Sequence, residues 1–243
     1  FVDFEPVKAK AAGATSFRGM PQPVFDQLPD RFTDTELGPV PEGWEVMCLE
    51  DLAEINPRRT LKKGELAPYL SMSNMPTRGH SPETWEMREF GSGMRFVNGD
   101  TLMARITPCL ENGKTAFVDV LPEDVVGWGS TEYIVLRPKR PFPNVYAYCL
   151  ARLTEFRDFA IKNMTGTSGR QRVPASSLAK FKVVKPSESL AETFGETVVP
   201  LFEIMAANYK QMRTLASIRD TLLPKLISGE LRVPAAGGGV DGG

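Results

Sequence analysis

Between Leu190 and Leu226 apolar or small side chains recur at Phe194, Val198, Leu201, Met205, Asn208, Met212, Leu215, Ile218 and Leu222. The steps alternate mainly between four and three residues, the spacing that lines one seam of an α-helix. Pro200 kinks this helix or marks a late start, while Pro224 and Gly229 end it. About 30 helical residues at ~1.5 Å each make a rod of roughly 45 Å. A compact domain drawn from a chain of 243 residues needs no helix of that length. A lone amphipathic helix this long would leave an apolar stripe in water, so it requires a partner along the seam. The interface residues are expected to be Val198, Leu201, Met205, Asn208, Met212, Leu215, Ile218 and Leu222, with Asn208 fixing the register. The partner is a second copy of the chain or a different long helix.

The residues before the seam follow another pattern. Residues 1–43 are rich in Pro, Gly and Asp without a sustained period, which reads as an extended lead-in closed by the turn Pro39 to Trp44. WEVMCLEDLAEI reads as a strand running into a short helix. AFVDVL and EYIVLRP are β-branched and aromatic runs and read as strands. DTLMARITPCLENGKTAFVDV reads as a strand, a Pro-containing loop, an Asn112-Gly113 turn and a returning strand. PNVYAYCLARLTEFRDFAIKNM reads as one amphipathic helix, and LAKFKVVKP as a final strand. The expected fold class is α+β: a mixed domain over 44–187, a coiled-coil-type helix over 188–229 and a flexible tail over 230–243.

Charge is unevenly distributed along the chain. Residues 1–56 carry 4 basic and 11 acidic side chains, a net −7, whereas the remainder carries 25 basic and 19 acidic, a net +6. Phe156 to Lys185 alone holds seven Lys/Arg against one Asp. A neutral protein binds nucleic acid when its positive charge is gathered on one face. No apolar run approaches the ~18 residues of a membrane span, and the opening FVDFEPVKAK is not a signal peptide. Cys48, Cys109 and Cys149 are too scattered for a disulfide framework or a zinc site, and suit a reducing cytoplasm.

The basic segment contains NMTGTSGRQRVP, Asn163 to Pro174, with no hydrophobic anchor between Met164 and Val173. Such a loop is expected to be held by its ligand rather than by burial. Arg170 and Arg172 offer forks to guanine, and Gln171 a bidentate partner to adenine. Thr165, Thr167 and Ser168 suit phosphates, and Gly166 and Gly169 permit close backbone approach. The alternative is a solvated turn before a strand. A second candidate is ARITPCLENGK, with Arg105, Thr107, Asn112 and Lys114; its alternative is an ordinary hairpin.

Catalytic chemistry finds little purchase. The single histidine, His80, sits among Gly, Ser and Pro and is expected to be a surface loop residue. A nucleophile–base arrangement would have to rest on it alone. No GxGxxG follows a strand and no GxxxxGK[ST] occurs. Asn56-Pro57 runs into Arg58-Arg59 rather than an aromatic methyltransferase motif. The carboxylates Asp100, Glu111 and Glu132 show no informative spacing. No metal, cofactor or catalytic residue is assigned.

Together, PEGWEVMCLEDLAEI, DTLMARI, STEYIVLRP, NMTGTSGRQRVP and LASIRDTLLPKLISGELRV resemble the specificity (S) subunit of type I restriction-modification systems. The resemblance spans roughly residues 40–233, and FVDFEPVKAKAAG resembles the segment after the first long helix of such subunits, which points to the C-terminal half. It implies a target-recognition domain reading one half of a bipartite double-stranded DNA target. It further implies a long helix that pairs antiparallel with a second S half or a second copy and docks methyltransferase (M) subunits. The restriction (R) subunit would join through those. S-adenosylmethionine and cleavage chemistry would belong to the partners, leaving this chain non-catalytic. The competing expectation is a protein–protein scaffold whose coiled-coil helix acts without direct DNA binding.

Overall fold

The computed structural model describes residues 3–82, 84–167 and 169–232. The chain divides into two compact units, Phe1–Phe202 and Glu203–Gly243.

The first unit opens with α1 (Glu5–Ala11), α2 (Gln22–Asp26) and an antiparallel hairpin of β1 (Phe32–Thr35) and β2 (Gly38–Pro41). The expectation of an extended lead-in was therefore wrong. Prolines near the starts of α1 and α2 occupy the first turn, where a missing N–H costs nothing and a fixed φ favours the helix. Val7, Val24, Phe25 and Leu28 then bury themselves against Trp44 and Leu190. Phe4 meets the Trp44 ring edge-on at 5.8 Å.

Next come β3 (Glu45–Cys48), α3 (Leu49–Leu52), β4 (Ala53–Ile55), β5 (Leu66–Leu70), β6 (Glu86–Glu89), β7 (Met94–Phe96), β8 (Thr101–Ala104), β9 (Thr115–Phe117), β10 (Gly127–Gly129) and β11 (Tyr133–Pro138). The main sheet has the order β4-β11-β8-β9 and is antiparallel throughout. A second sheet, β6-β5-β10-β7, includes one parallel pair, β5 with β10. Strand β11 explains why the sheets stack. Its residues Ile134 and Leu136 point into one core with Phe156, Leu150 and Leu178. Tyr133 and Val135 point into another with Leu70 and Phe96. Alternation puts successive side chains on opposite faces, so a run that is apolar at every position belongs to a strand covered on both sides. Gly129 lets the second sheet approach: a Cβ there would lie 2.5 Å from the Leu70 carbonyl oxygen and from the Tyr133 ring.

Helices α4 (Val145–Ala151), α5 (Thr154–Lys162) and α6 (Ala175–Leu178) cover the first face, and β12 (Lys182–Lys185) pairs with β3. The single helix expected over PNVYAYCLARLTEFRDFAIKNM is two. Leu153 adopts φ −64 and ψ 140 and ends the first. Beside it Arg152 donates to the carbonyls of Gly113 and Thr77 at 3.0 and 3.1 Å. The break aims both Leu150 and Phe156 into the same core.

Helix α7 (Glu188–Ile227) is continuous for 40 residues, or about 60 Å. It runs unbroken through Pro200 and Pro224, which were expected to kink or delay it and to end it, and Gly229, with φ +76, follows its end. Within the first unit Val198, Val199 and Phe202 pack on Phe117, Val145 and Tyr148. The α+β class expected from the sequence is the class observed.

Candidate nucleic-acid interface

The loop joining β8 to β9, residues 105–114, is not an open hairpin tip. Leu110 is buried and its amide donates to Ile106; Asn112 donates to Pro108, and Lys114 to Cys109. These bonds wind the segment into tight turns, and Gly113, with φ +72, supplies the left-handed step before β9.

The second loop closes on itself. Thr165 and Arg172 exchange both backbone hydrogen bonds, at 2.9 and 2.8 Å. Gly166 and Gly169 take φ +121 and +81, values that a side chain disfavours. At one end Met164 packs against the main core, and at the other Val173 is fully buried. The expectation that a ligand must hold this loop fails for a plain reason: its own backbone ladder and its two ends hold it. Ser168 lies outside the described residues.

The two loops are joined. Thr107 donates its amide to the Gln171 carbonyl at 3.0 Å, and Val173 donates to the Arg105 carbonyl at 2.9 Å. The Thr107 hydroxyl faces the Met164 sulfur at 4.0 Å. The structure thus gathers Arg105, Thr107, Thr165, Gln171 and Arg172 into one platform. Thr165, Gly166, Thr167, Gly169 and Arg170 are exposed, as is Asn112 on the neighbouring loop. Among the described residues the Arg170 side chain has no hydrogen-bond partner, which leaves its fork open. Lys114 is differently placed, since its ammonium donates to the Met72 carbonyl at 2.6 Å.

Glu132 was missed by sequence reasoning. Its carboxylate takes Arg172 Nε at 2.9 Å on each oxygen and Nη2 at 2.7 Å. Hydrogen bonding first, and then its negative charge, raise the Arg172 pKa further. Arg105 Nε stands 3.9 Å from the same carboxylate, too far for a hydrogen bond. Nothing local marks Glu132 in the sequence, because Arg172 lies 40 residues away.

Asp100 serves the interior instead. It is fully buried, with Arg137 at 3.0 Å and Arg59 at 3.3 Å. Burial raises its carboxyl pKa, outweighing the Val97 amide and the two arginines that lower it.

His80 departs from its expected surface position: its side chain is 11% exposed and touches Asp119 at 3.0 Å. Ser81 lies 3.2 Å from the same ring nitrogen and donates to Asp119 at 2.6 Å. A catalytic triad needs the acid on one ring nitrogen and the nucleophile on the other. Here acid and hydroxyl share Nε2, and the hydroxyl is tied to the acid. The trio pins residues 80–81 to the end of the β9 segment.

On α7, Val198 is engaged within the first unit, which removes it from the expected free seam. Leu201, Met205, Met212, Leu215, Ile218 and Leu222 are exposed large hydrophobics, joined by Ile204, Leu223 and Ile227, which the seam did not include. Asn208 is also exposed. Among the described residues no helix is long and apolar enough to cross a membrane.

Comparison with known proteins agrees with this architecture. The chain is 27% identical over 197 residues to the type I restriction enzyme EcoEI specificity subunit of Escherichia coli, covering 77% of this chain and 33% of that protein. It is 31% identical over 153 residues to the EcoAI specificity subunit of the same species, covering 60% and 26%. To the MjaIX specificity subunit of Methanocaldococcus jannaschii it is 25% identical over 249 residues, covering 96% and 50%. The chain therefore spans half or less of the length of these three relatives. The crystal structure of the HsdS subunit from Thermoanaerobacter tengcongensis shares its fold, with a TM-score of 0.51 at 19% identity over 84% of this chain and 54% of that one. Residues 41–189, which contain both sheets and the two-loop platform, match the type I restriction modification DNA specificity domain, and the chain belongs to that family.

Proposed function

We propose that this chain is a non-catalytic module that recognises one half of a bipartite duplex DNA target for a type I restriction-modification complex. The observation that carries the reading is the joining of residues 105–114 and 163–174 into one backbone-locked platform. A rigid platform with an open Arg170 fork, Gln171 and Asn112 at its surface suits base edges in a groove, because positioning is settled before DNA arrives. Thr165 and Thr167 supply hydroxyls of the kind that donate to phosphates. Arg172 and Lys114 contribute differently from the sequence expectation, since both are spent on the protein itself.

Partner subunits would bring S-adenosylmethionine, methylation and cleavage to the site this module selects. The exposed apolar stripe of α7 would seat another long helix, from a second copy or a second S half, and dock the M subunits through which the R subunit joins. A complex of this kind acts on DNA in the cytoplasm, where the three cysteines, all free, suit reducing conditions.

The test is binding of the full chain to duplex DNA with rising salt. Phosphate contacts give affinity that falls steeply and linearly on a log–log scale. Salt-independent binding, or none, would leave the scaffold reading, which the exposed stripe alone supports. Footprinting with the methyltransferase partner present would then locate the half-site.

A further inference from the structure

We infer that Glu132 is a positioning residue that restrains Arg172 of the platform from capturing a DNA phosphate, so that affinity depends on base sequence rather than on charge. This role rests on the platform being a DNA-recognition surface.

The backbone around Glu132 is fixed on both sides. Its amide donates to the Ser130 hydroxyl at 3.1 Å, and its carbonyl accepts from the Arg105 amide at 2.9 Å. Its carboxylate is therefore held where the two loops meet. Arg172 occupies both carboxylate oxygens, and its Nη1 donates to the Arg170 carbonyl at 3.2 Å. Arg105 approaches the same carboxylate without bonding to it. Its Nε, 3.9 Å away, is buried without any hydrogen-bond partner.

Two guanidinium groups thus share one acid. Arginine uses the same planar fork for carboxylate and for phosphate, so a phosphate can take the Nε/Nη2 edge of Arg172 only by displacing Glu132. Without the acid, Arg105 and Arg172 would stand beside Arg170 as a cationic cluster attractive to any duplex. With it, the three residues Arg105, Arg172 and Glu132 carry one net positive charge. Arg170 and Gln171 lie outside the pairing and remain free for base edges. Sequence-independent attraction is what a recognition module must hold down, because non-specific sites outnumber the target.

The experiment measures binding of the full chain to a random-sequence DNA duplex between about 50 and about 200 mM salt. Glu132→Gln keeps the shape and one acceptor oxygen but removes the charge. It should tighten binding about three- to tenfold at the low-salt end and steepen the log–log slope by about 0.9, one added phosphate. Arg172→Ala should leave the slope of the natural chain unchanged, yet cancel the gain when combined with Glu132→Gln. Glu132→Asp, which keeps the charge, should retain the natural slope. Weaker binding of Glu132→Gln with no change of slope would mean that the residue only braces the loop, and would overturn the inference. So would a natural chain whose slope flattens by a full phosphate in Arg172→Ala, a comparison that does not depend on how Glu132→Gln folds. If the natural chain shows no salt-dependent binding to duplex at all, the DNA reading itself fails and takes this role with it. Binding by the natural chain with slopes unmoved in every variant overturns the role of Glu132 alone.

Discussion

The backbone amide of Thr107 donates to the carbonyl of Gln171 at 3.0 Å, across 64 residues of sequence. This bond ties the neighbourhood of Gln171 to the segment that follows β8, where Ile106 and Arg172 form an isolated bridge, rather than leaving it a free loop. The side chains at 170 and 171 are thereby presented from a fixed base.

Arg170→Ala and Gln171→Ala should each relax sequence preference, costing about 1–3 kcal/mol on the best-bound duplex if they read bases. Selection from a random duplex library before and after substitution measures this. A uniform loss on every sequence with a shallower salt slope would instead make Arg170 a phosphate clamp. An undisturbed profile in the double variant would remove the platform from DNA recognition.

Leu201 and Leu215 are 55% and 65% exposed, so neither is needed for the fold of the recognition domain. Pairing along the stripe of α7 predicts that the chain sediments as a dimer at tens of micromolar. Leu201→Asp with Leu215→Asp should release monomers while the melting of the recognition domain stays within about 0.5 kcal/mol of the original, as surface changes do. A natural chain that stays monomeric without a partner would show that the stripe serves a different protein.

Asp100→Asn should destabilise the domain by about 2–4 kcal/mol in urea unfolding. Removing one member of a buried pair is costly even where the pair itself gains little, and the cost is held down because the Arg59 and Arg137 side chains are 20% and 29% exposed. A loss well under 1 kcal/mol would mean that both arginines find water at once.

Burial pushes the Tyr146 phenol from 10.0 up to about 12. The folded chain therefore keeps this proton at pH values where the unfolded chain has released it. The stabilisation is complete below about pH 10, the unfolded value, and is lost as pH rises from there through about 12. Tyr146→Phe should flatten the fall of the urea midpoint across that window. An identical fall in both proteins would assign the alkaline loss to other groups.

Much of the fold was legible because its signals are local. EYIVLRP is apolar at nearly every position, and became β11 between two cores. TLMA and TAF flank a turn, and paired as β8 and β9. The three- and four-residue steps after Leu190 became one helix, since that spacing stacks side chains along a helical face. The same logic misled where local signals compete. Proline near the start of α1 and α2 looked like extended chain, although the first turn of a helix accepts it. Helical spacing also continued across Arg152 and Leu153, where the chain turns to aim Phe156 into the core.

The candidate site divides along the same line. By itself the sequence determined that residues 163–174 would be a polar, basic, glycine-containing loop, because composition and φ preference belong to each residue alone. Only the tertiary structure decided which cations are free. Arg170 and Arg172 are two residues apart and chemically identical, yet Glu132 takes the second and leaves the first. That choice depends on the β8–β11 register, which sets Ala104 opposite Tyr133 and so brings Arg105 beside Glu132. His80 and Ser81 acquire Asp119 in the same way. A charged head finds its partner through space, and the distance that matters is fixed by strand pairing rather than by position along the chain.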